Sequence, residues 1–214
     1  MKKLLLILFL LPLITAFPQR IGKLAPEKPH VKFPPNAWGV DLLFGEGGFG
    51  LGTFYRYSFT ETLTGFVDFS ISESKDEREF ERFDIFGRPL PVFGKKNRVF
   101  LLPLNAGIQK RLFYDDLTDN LRPYFTLGAG PVMVVTTPAD EEFFTSFERA
   151  QAKFGVGGYI GIGANFGLST SNLLGINFRY SIAHLFDEGV ENFYGTFLKN
   201  IGSFYFAINL GMMY

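Results

Sequence analysis

Along most of this chain of 214 residues, apolar and polar side chains alternate with a period of two. The last strand-like segment shows the pattern clearly. Its even-numbered positions are the apolar ones: Phe204, Phe206, Ile208, Leu210, Met212 and Tyr214. The odd-numbered positions between them are mostly small or polar: Ser203, Tyr205, Ala207, Asn209 and Gly211. Successive side chains of a strand point to opposite faces, so the pattern predicts a strand with one apolar face. The segments KFGVGGYIGIGANF and GINFRYSIAH repeat it. Similar segments lie near 121–136, 98–113, 62–72, 49–59 and 37–46, which gives eight predicted strands.

The connections between these strands alternate in length. SFTET, YDDLTDN and GLSTSN are short and polar, whereas residues 73–97, 137–151 and 185–202 form long segments. The first connection is the exception, because it is very short. Short turns on one side and long loops on the other are typical of an up-and-down transmembrane barrel.

The composition of the two strand faces indicates which face meets lipid. One face is almost purely Phe, Leu, Ile, Val and Tyr, and the other is mainly Gly, Ser, Asn and Thr with a few charges. A closed barrel of eight strands holds only a thin layer of side chains, so the face of large residues would overfill its interior. Closure also leaves no unpaired strand edge in hydrocarbon. The sequence therefore predicts an all-β fold, an eight-stranded antiparallel up-and-down transmembrane β-barrel over residues 37–214.

The N-terminal region has the pattern of an export signal. Lys2 and Lys3 precede an apolar run, and Ala16 offers a small residue at the cleavage point. We expect a secretory signal peptide over residues 1–16, with a buried N-terminal helix as the alternative. Residues 17–36 contain five prolines and are expected to form a periplasmic tail. The chain has no cysteine, which excludes a lipoprotein anchor and disulfides.

The stretch GEGGFG at residues 45–50 has two interpretations. It fits a glycine-rich nucleotide loop, but LGTFYRYSF follows it as a strand pattern, and phosphate binding needs a helix there. A kinase would also need its H-R-D and D-F-G stretches, which are absent. We therefore expect a hairpin with Gly47 and Gly48 as the turn, pairing Glu46 with Phe49.

Three segments carry a resemblance to a known family: FAINLGMMY, LRPYFTLGAGPVMVV and VGGYIGIGANF. They resemble the small outer-membrane β-barrels of the OmpA/OmpX kind, within the broad outer membrane protein β-barrel domain family. The resemblance implies the bacterial outer membrane as location, with membrane lipid and lipopolysaccharide as partners. It also implies that the last strand is an assembly signal for the barrel-assembly machinery, formed by Phe206, Ile208, Leu210, Met212 and Tyr214. Tyr214 stands where Phe is commonest. Fold alone does not assign function.

A few charged residues lie at the positions that are expected to face the interior of the barrel. The predicted lumen network consists of Asp41, Arg56, Asp68 and Arg179, with Asn105, Gln109, Tyr159, Asn177 and Tyr205 as further members. Opposite charges in a narrow lumen of low dielectric constant must be compensated, so we expect them to pair and fill the barrel. A gated polar path for small solutes is the alternative.

Aromatic residues recur at the strand ends on the short-turn side. With both termini on that side, the predicted girdle at the membrane interface consists of Trp38, Tyr57, Phe59, Phe113, Phe166 and Tyr214. The alternative is that aromatic residues are simply abundant, since the chain has 27 Phe and 9 Tyr.

The two histidines do not define a catalytic or metal site. His30 lies in the tail without a ligand partner at useful spacing, and His184 lies near Asp187 and Glu188 at the long-loop end of a strand. Ser181 is three residues from His184 and so on the opposite face, which prevents a direct dyad. We expect no catalytic residues, no cofactor and no metal. The formal net charge of zero gives no indication of a nucleic-acid partner.

Three functions remain open. The favoured one is a non-enzymatic barrel that contributes to envelope integrity or surface contact through its long loops. The loop 73–97 supports it, because dense charges of both signs surround Phe80, Phe83, Phe86 and Phe93. A small-solute channel and a lipid-modifying enzyme are the alternatives.

Overall fold

The structure is a computed structural model that describes residues 30–75, 82–83, 86, 89–90, 94–117 and 119–214. The predicted signal peptide over residues 1–16, and the part of the predicted tail up to residue 29, lie outside these residues. Within them, none of the helices is long and apolar enough to cross a membrane.

Eight long strands form one closed antiparallel barrel, which confirms the predicted fold. The barrel strands are β1 (Asn36–Gly45), β2 (Gly48–Ser58), β3 (Leu63–Ser74), β6 (Asn97–Arg111), β7 (Leu121–Pro138), β8 (Gln151–Phe166), β9 (Asn172–Leu185) and β12 (Asn200–Met213). Four short strands lie outside the barrel: β4 (Arg82–Phe83), β5 (Pro89–Leu90), β10 (Val190–Phe193) and β11 (Thr196–Leu198). The barrel order is β1-β12-β9-β8-β7-β6-β3-β2. Strand β1 closes it on β12, with Ala37 opposite Met213 and Phe44 opposite Phe206.

The alternating pattern places large apolar side chains outside and polar or small ones inside. On the adjacent positions Phe178 and Arg179, the exposed fractions are 55% and 8%. The exposed apolar belt includes Val40, Phe44, Leu51, Val67, Phe69, Ile71, Leu104, Ile108, Leu127, Ile160, Ile162, Leu174, Phe178, Ile182 and Leu210. Such a belt is stable only against lipid, because monomeric soluble proteins rarely expose apolar patches of this extent.

The first hairpin differs from its predicted register. Gly45 pairs with Gly48 and Phe44 pairs with Phe49, so Glu46 and Gly47 form the turn. The predicted turn at Gly47 and Gly48, with Glu46 opposite Phe49, is wrong by one residue on each strand. Only Gly48 in this turn has a positive φ, 119°, and a glycine of positive φ directly after two turn residues is a common hairpin closure. Phe44 and Phe49 nevertheless keep their outward faces.

The three short connections, which follow β2, β6 and β8, lie on the same side as both barrel termini. The long connections on the other side contain structure that the sequence pattern did not predict. Strands β4 and β5 pair in the first of them, and β10 and β11 pair in the last. A short helix, α1 (Phe143–Ser146), follows Glu142, whose side chain accepts a hydrogen bond from the Thr145 N–H, and a 3₁₀ turn (Phe147–Arg149) continues it.

Phe178→Arg tests the outward face at the middle of β9. An arginine at the bilayer midplane should lower the free energy of unfolding by about 2–4 kcal/mol. The measurement is denaturant unfolding in lipid vesicles, followed by the fluorescence of Trp38, the single tryptophan of the chain. Phe178→Leu is the control and should unfold close to wild type. A wild-type midpoint for Phe178→Arg would mean that this face does not meet lipid.

Candidate functional site

The interior of the barrel is filled by three successive layers of side chains. The middle one, here called the central polar layer, comprises Asp41, Arg56, Asp68, Asn105, Gln109, Tyr124, Thr126, Tyr159, Asn177, Arg179 and Asn209, all buried. It contains the four charged residues of the predicted lumen network. Buried charges need compensation, so the contacts of each one decide what the layer can do.

Each carboxylate of this layer is held by an amide that lies directly across from it on the neighbouring strand. Asp41 is opposite Asn209 and accepts its Nδ2–H at 2.5 Å. Asp68 is opposite Asn105 and accepts its Nδ2–H at 3.0 Å, and the hydroxyl of Tyr159 donates to the second carboxylate oxygen at 2.6 Å. Antiparallel register therefore fixes the acceptors of the layer.

The two arginines of the layer contact aromatic rings. The guanidinium carbon of Arg179 lies 4.7 Å from the ring centre of Tyr159, and that of Arg56 lies 4.1 Å from the ring centre of Phe54. Arg56 also donates to Asn165 Oδ1 at 3.5 Å. Among the described lumen residues no salt bridge joins these arginines to Asp41 or Asp68. The expected charges thus meet in one layer, but amides, a phenol and rings separate them.

Further hydrogen bonds connect the layer across the lumen. Tyr124 donates to Asn209 Oδ1 at 3.2 Å, and Asn177 donates to the Tyr124 hydroxyl at 3.5 Å. The cavity left inside the layer has a volume of about 20 Å³, and a single water needs about 10–15 Å³ on such a measure. The cavity inside the layer therefore has room for about one water.

The extracellular end of the lumen is filled by a second layer, the outer apolar layer. It consists of Val99, Leu101, Val132, Val134, Ala183, Leu185, Val190 and Ile201. Val190 belongs to β10, so the last long loop folds into the mouth and supplies part of the layer. A cavity of about 10 Å³ lies against this layer, next to Ser181 and Ser203.

Ion pairs fasten that last loop to the strand ends. Lys96 pairs with Glu191, and the Lys96 ammonium lowers the pKa of that carboxyl. Asn97 Nδ2 donates to the Glu191 carbonyl at 2.7 Å. Lys153 pairs with Asp187 at 3.2 Å. These contacts hold the loop against the extracellular end of the barrel.

An aromatic cluster lies outside the barrel at the same end. Phe143 and Phe147 contact the outward ring of Phe100, with ring centres 6.2 and 5.8 Å away, and Phe144 packs on Phe143 at 5.3 Å. Arg98 donates to the carbonyls of Pro138, Ala139 and Glu141 at 3.2, 3.2 and 3.1 Å. Helix α1 is thereby fixed against the outer rim, with its phenylalanines exposed.

At the opposite end, residues 30–35 of the predicted tail pack on the barrel mouth. Asp119 accepts the Val31 N–H at 2.7 Å and Arg111 Nη2–H at 2.7 Å, and His30 Nδ1 lies 3.4 Å from it. Burial alone would raise the pKa of Asp119, but these hydrogen bonds outweigh it and lower the pKa below its ordinary value. His30 also stacks on Tyr114 with ring centres 4.1 Å apart.

Phe33 extends the contact into the third layer of the lumen. It packs against a buried cluster of Ala37, Phe54, Leu173 and Met213. Neither the partner of His30 nor the position of Phe33 was predicted, because Asp119 and Leu173 lie far along the chain. The available signal was an aromatic residue, Phe33, within a proline-rich stretch.

The predicted interface aromatics all lie at the short-turn end. Trp38, Tyr57, Phe59, Phe113 and Tyr214 are exposed, and Phe166 is half-buried. The predicted assembly residues lie on the outward face of the closing strand: Phe206 and Ile208 are half-buried, and Leu210, Met212 and Tyr214 are exposed. Their roles as girdle and as assembly signal stay predictions.

His184 and Ser181 lie on opposite faces of β9. His184 Nδ1 is 2.6 Å from Asn200 Oδ1 on the exposed side, whereas Ser181 Oγ donates to the Gly158 carbonyl at 3.5 Å. Asp187 takes the Gly189 N–H at 2.9 Å and pairs with Lys153 instead of reaching His184. Within the described ranges no group of His, Cys, Asp and Glu is arranged to hold a metal ion.

A closed barrel with a lipid-facing apolar belt, a filled interior, short turns and long loops defines a small β-barrel protein of the bacterial outer membrane. No protein-family model matches the chain, and no curated protein matches it.

Among solved structures, the chain is similar to three small outer-membrane barrels. Neisserial surface protein A is 12% identical, over 84% of this chain and 95% of its own, with a TM-score of 0.48. The N-terminal β-barrel domain of Pseudomonas aeruginosa OprF is 11% identical, over 85% and 98%, with a TM-score of 0.44. Ail, the attachment invasion locus protein of Yersinia pestis, is 13% identical, over 82% and 95%, with a TM-score of 0.40. Because these identities and TM-scores are low, the assignment of the fold rests on the strand pairing and outer surface of the chain itself.

Arg179→Ala tests the central polar layer. Removing this guanidinium leaves Asp41 and Asp68 with less compensating charge, and breaking such a buried arrangement typically costs about 3–5 kcal/mol. We expect a lower unfolding midpoint in vesicles. Lys199→Ala removes an exposed charge and should have almost no effect. Equal midpoints for wild type and Arg179→Ala would show that the layer does not depend on this charge.

Asp119→Asn tests the packing of residues 30–35. Loss of its charge-assisted hydrogen bonds should raise the rate of trypsin cleavage after the exposed Lys32 by about tenfold or more. The contribution of a carboxyl with a lowered pKa is complete above its unfolded value of about 3.9, and is lost as pH falls through the folded value. It is therefore constant at neutral pH, where trypsin works. Asp116→Asn, exposed on the same turn, is the control. Unchanged cleavage in Asp119→Asn would contradict the contact.

Proposed function

We propose that this protein is a non-enzymatic, non-conducting outer-membrane barrel that contributes to envelope integrity or surface contact through its extracellular loops. The observation that carries the proposal is the filled lumen. The central polar layer and the outer apolar layer leave cavities of about 20 and 10 Å³, and the segment around Phe33 covers the periplasmic side. A barrel filled at its middle and at its extracellular end favours a function on its surfaces over conduction through its interior.

The extracellular surfaces supply large exposed aromatic side chains for such contact. Phe144 and Phe186 lie at the outer rim, and Tyr194 and Phe197 lie on the hairpin of β10 and β11. In the loop 73–97 the described Phe86 is exposed, the side chain of Phe83 is not described, and Phe80 and Phe93 lie outside the described residues. Exposed aromatic groups on a fixed scaffold favour a partner surface, with lipopolysaccharide and other surface molecules as candidates.

The two alternatives have less support. A channel needs an aqueous path, and the layers described above interrupt one. A lipid-modifying enzyme needs a nucleophile or base next to an acceptor, and the exposed His184 faces Asn200 while Ser181 faces the lumen. The proposal therefore places function on the loops.

Planar bilayer recordings test the closed lumen. Wild-type protein should be silent or flicker rarely, because the central polar layer and the outer apolar layer leave too little room for a hydrated ion. Arg179→Ala should flicker more often or leak, since the carboxylates around it are no longer compensated. Steady wild-type conductance of ordinary salts would overturn the proposal and favour the channel.

A complementation experiment tests the role of the loops in cells that lack the protein. The double variant Tyr194→Ser, Phe197→Ser should restore barrel levels but not detergent resistance or surface attachment. Thr196→Ser, on the same hairpin, is the matched control and should restore both. Full restoration by the double variant would remove this hairpin from the proposed contact surface.

A further inference from the structure

A third cavity lies at the periplasmic mouth, between the barrel interior and the segment of residues 30–35. Its volume is about 100 Å³. One water needs about 10–15 Å³ on the measure applied to the central polar layer, so the space admits several waters and has room for one carboxylate or phosphate group. Phe33, Pro34 and Pro35 form one wall, and inward residues of the barrel form the other.

The walls of this cavity carry an excess of positive charge. Arg56, Arg111 and Arg122 line it, and Glu61 is the carboxylate among the lining residues. Asp119, next to it, is already bound to Arg111 at 2.7 Å. Arg111 and Arg122 face the two carboxylates, and Arg56, which the cavity shares with the central polar layer, adds a third guanidinium. Glu61 also accepts the hydroxyl hydrogen of Tyr114.

The guanidinium of Arg122 is buried with unused donors. Arg122 is 7% exposed, and its Nε and Nη2 have no hydrogen-bond acceptor in the part of the chain that the structure describes. The same holds for Nε of Arg111. The ring centre of Phe33 lies 3.7 Å from the Arg122 guanidinium carbon, but a ring over the face of the group satisfies none of its N–H edges.

The strand register directs this arginine inward. Arg122 is opposite Asn165 across β7 and β8, and Asn165 Oδ1 is the acceptor for Arg56 at the cavity wall. Buried donors of a charged group are costly to leave unpaired, and a guanidinium presents two parallel N–H groups that match a carboxylate or a phosphate. A small oxyanion satisfies both the geometry and the excess charge.

We propose that the periplasmic mouth is a binding site for a small oxyanion, a carboxylate or phosphate group, held by Arg122 with Arg111 and Arg56. The ligand chemistry has two possible sources. One is a free solute of the periplasm, and the other is the carboxylate of Glu27, three residues before the first described residue of this chain. The inference does not depend on the proposed role of the loops.

The test is calorimetric titration of the full chain in nanodiscs with sodium phosphate and, separately, sodium acetate, at constant ionic strength set by chloride. Amide NMR shifts of Arg122 and Asn165 report the place of binding. Either wild type or Glu27→Gln, in which the tail carboxylate is removed, should bind at least one of the two anions saturably. Arg122→Gln should weaken that binding by about tenfold or more, as expected for loss of a charge-assisted hydrogen bond. Lys110→Gln, an exposed cation at the same end, is the matched control and should bind like wild type.

Glu27→Gln distinguishes the two sources. If the tail carboxylate fills the site, wild type should bind neither added anion, and Glu27→Gln should bind one with the Arg122 and Asn165 shifts. If the site takes solutes, Glu27→Gln should bind as wild type does.

The absence of saturable binding in both wild type and Glu27→Gln would overturn the proposal. So would unchanged affinity when Arg122→Gln is introduced into whichever of these two proteins binds. Should Arg122→Gln not assemble, Arg122→Lys keeps the charge but loses the planar fork. Weaker binding by that variant would support the site, and unchanged affinity would overturn it.

Discussion

Aromatic rings packed over glycines inside a narrow barrel are the contact on which the rest of this structure depends. A Cβ added at Gly163 would lie 2.6 Å from the hydroxyl of Tyr124, and one added at Gly107 would lie 2.6 Å from the ring of Phe66. Phe66 also covers Gly128, where the added atom would lie 3.0 Å away. Eight strands fix the diameter of the lumen, so a large inward ring fits only where the neighbouring strands have no side chain. This complementarity accounts for the glycines that lie opposite the inward aromatic rings, whereas most other aromatic side chains face outward.

The same packing holds the charged groups in place. Tyr159 lies with its ring stacked on Phe66, 5.9 Å between centres, and so directs its hydroxyl to Asp68 and its face to Arg179. A glycine at 128 leaves the room that this pair of rings needs. The electrostatics of the lumen are therefore a consequence of steric fit. Charges that sequence reasoning expected to meet directly are kept apart by aromatic groups that compensate them.

Much of the fold could be predicted from the sequence, because period-two alternation is a local signal and barrel closure follows from the lipid-facing parity. The eight strands, their facing and the sorting of short and long connections all rest on that signal. The predicted turn of the first hairpin was one residue away from the observed one on each strand, because the neighbouring glycines allow the turn at more than one position. Helix α1 was missed because it is four residues long and is fixed by Arg98, which belongs to another segment.

The two ends of the barrel show where local patterns stop being informative. Val190 fills the extracellular mouth and Phe33 fills the periplasmic one, and both come from segments without strand periodicity. Their positions depend on partners far along the chain, Glu191 with Lys96 in one case and Val31 with Asp119 in the other. These end segments make few ladder hydrogen bonds, so they are the parts of the molecule that can open without breaking the barrel. A sterically fixed middle is therefore the reason why both proposed contact sites, the extracellular loops and the periplasmic mouth, lie at the ends of the barrel.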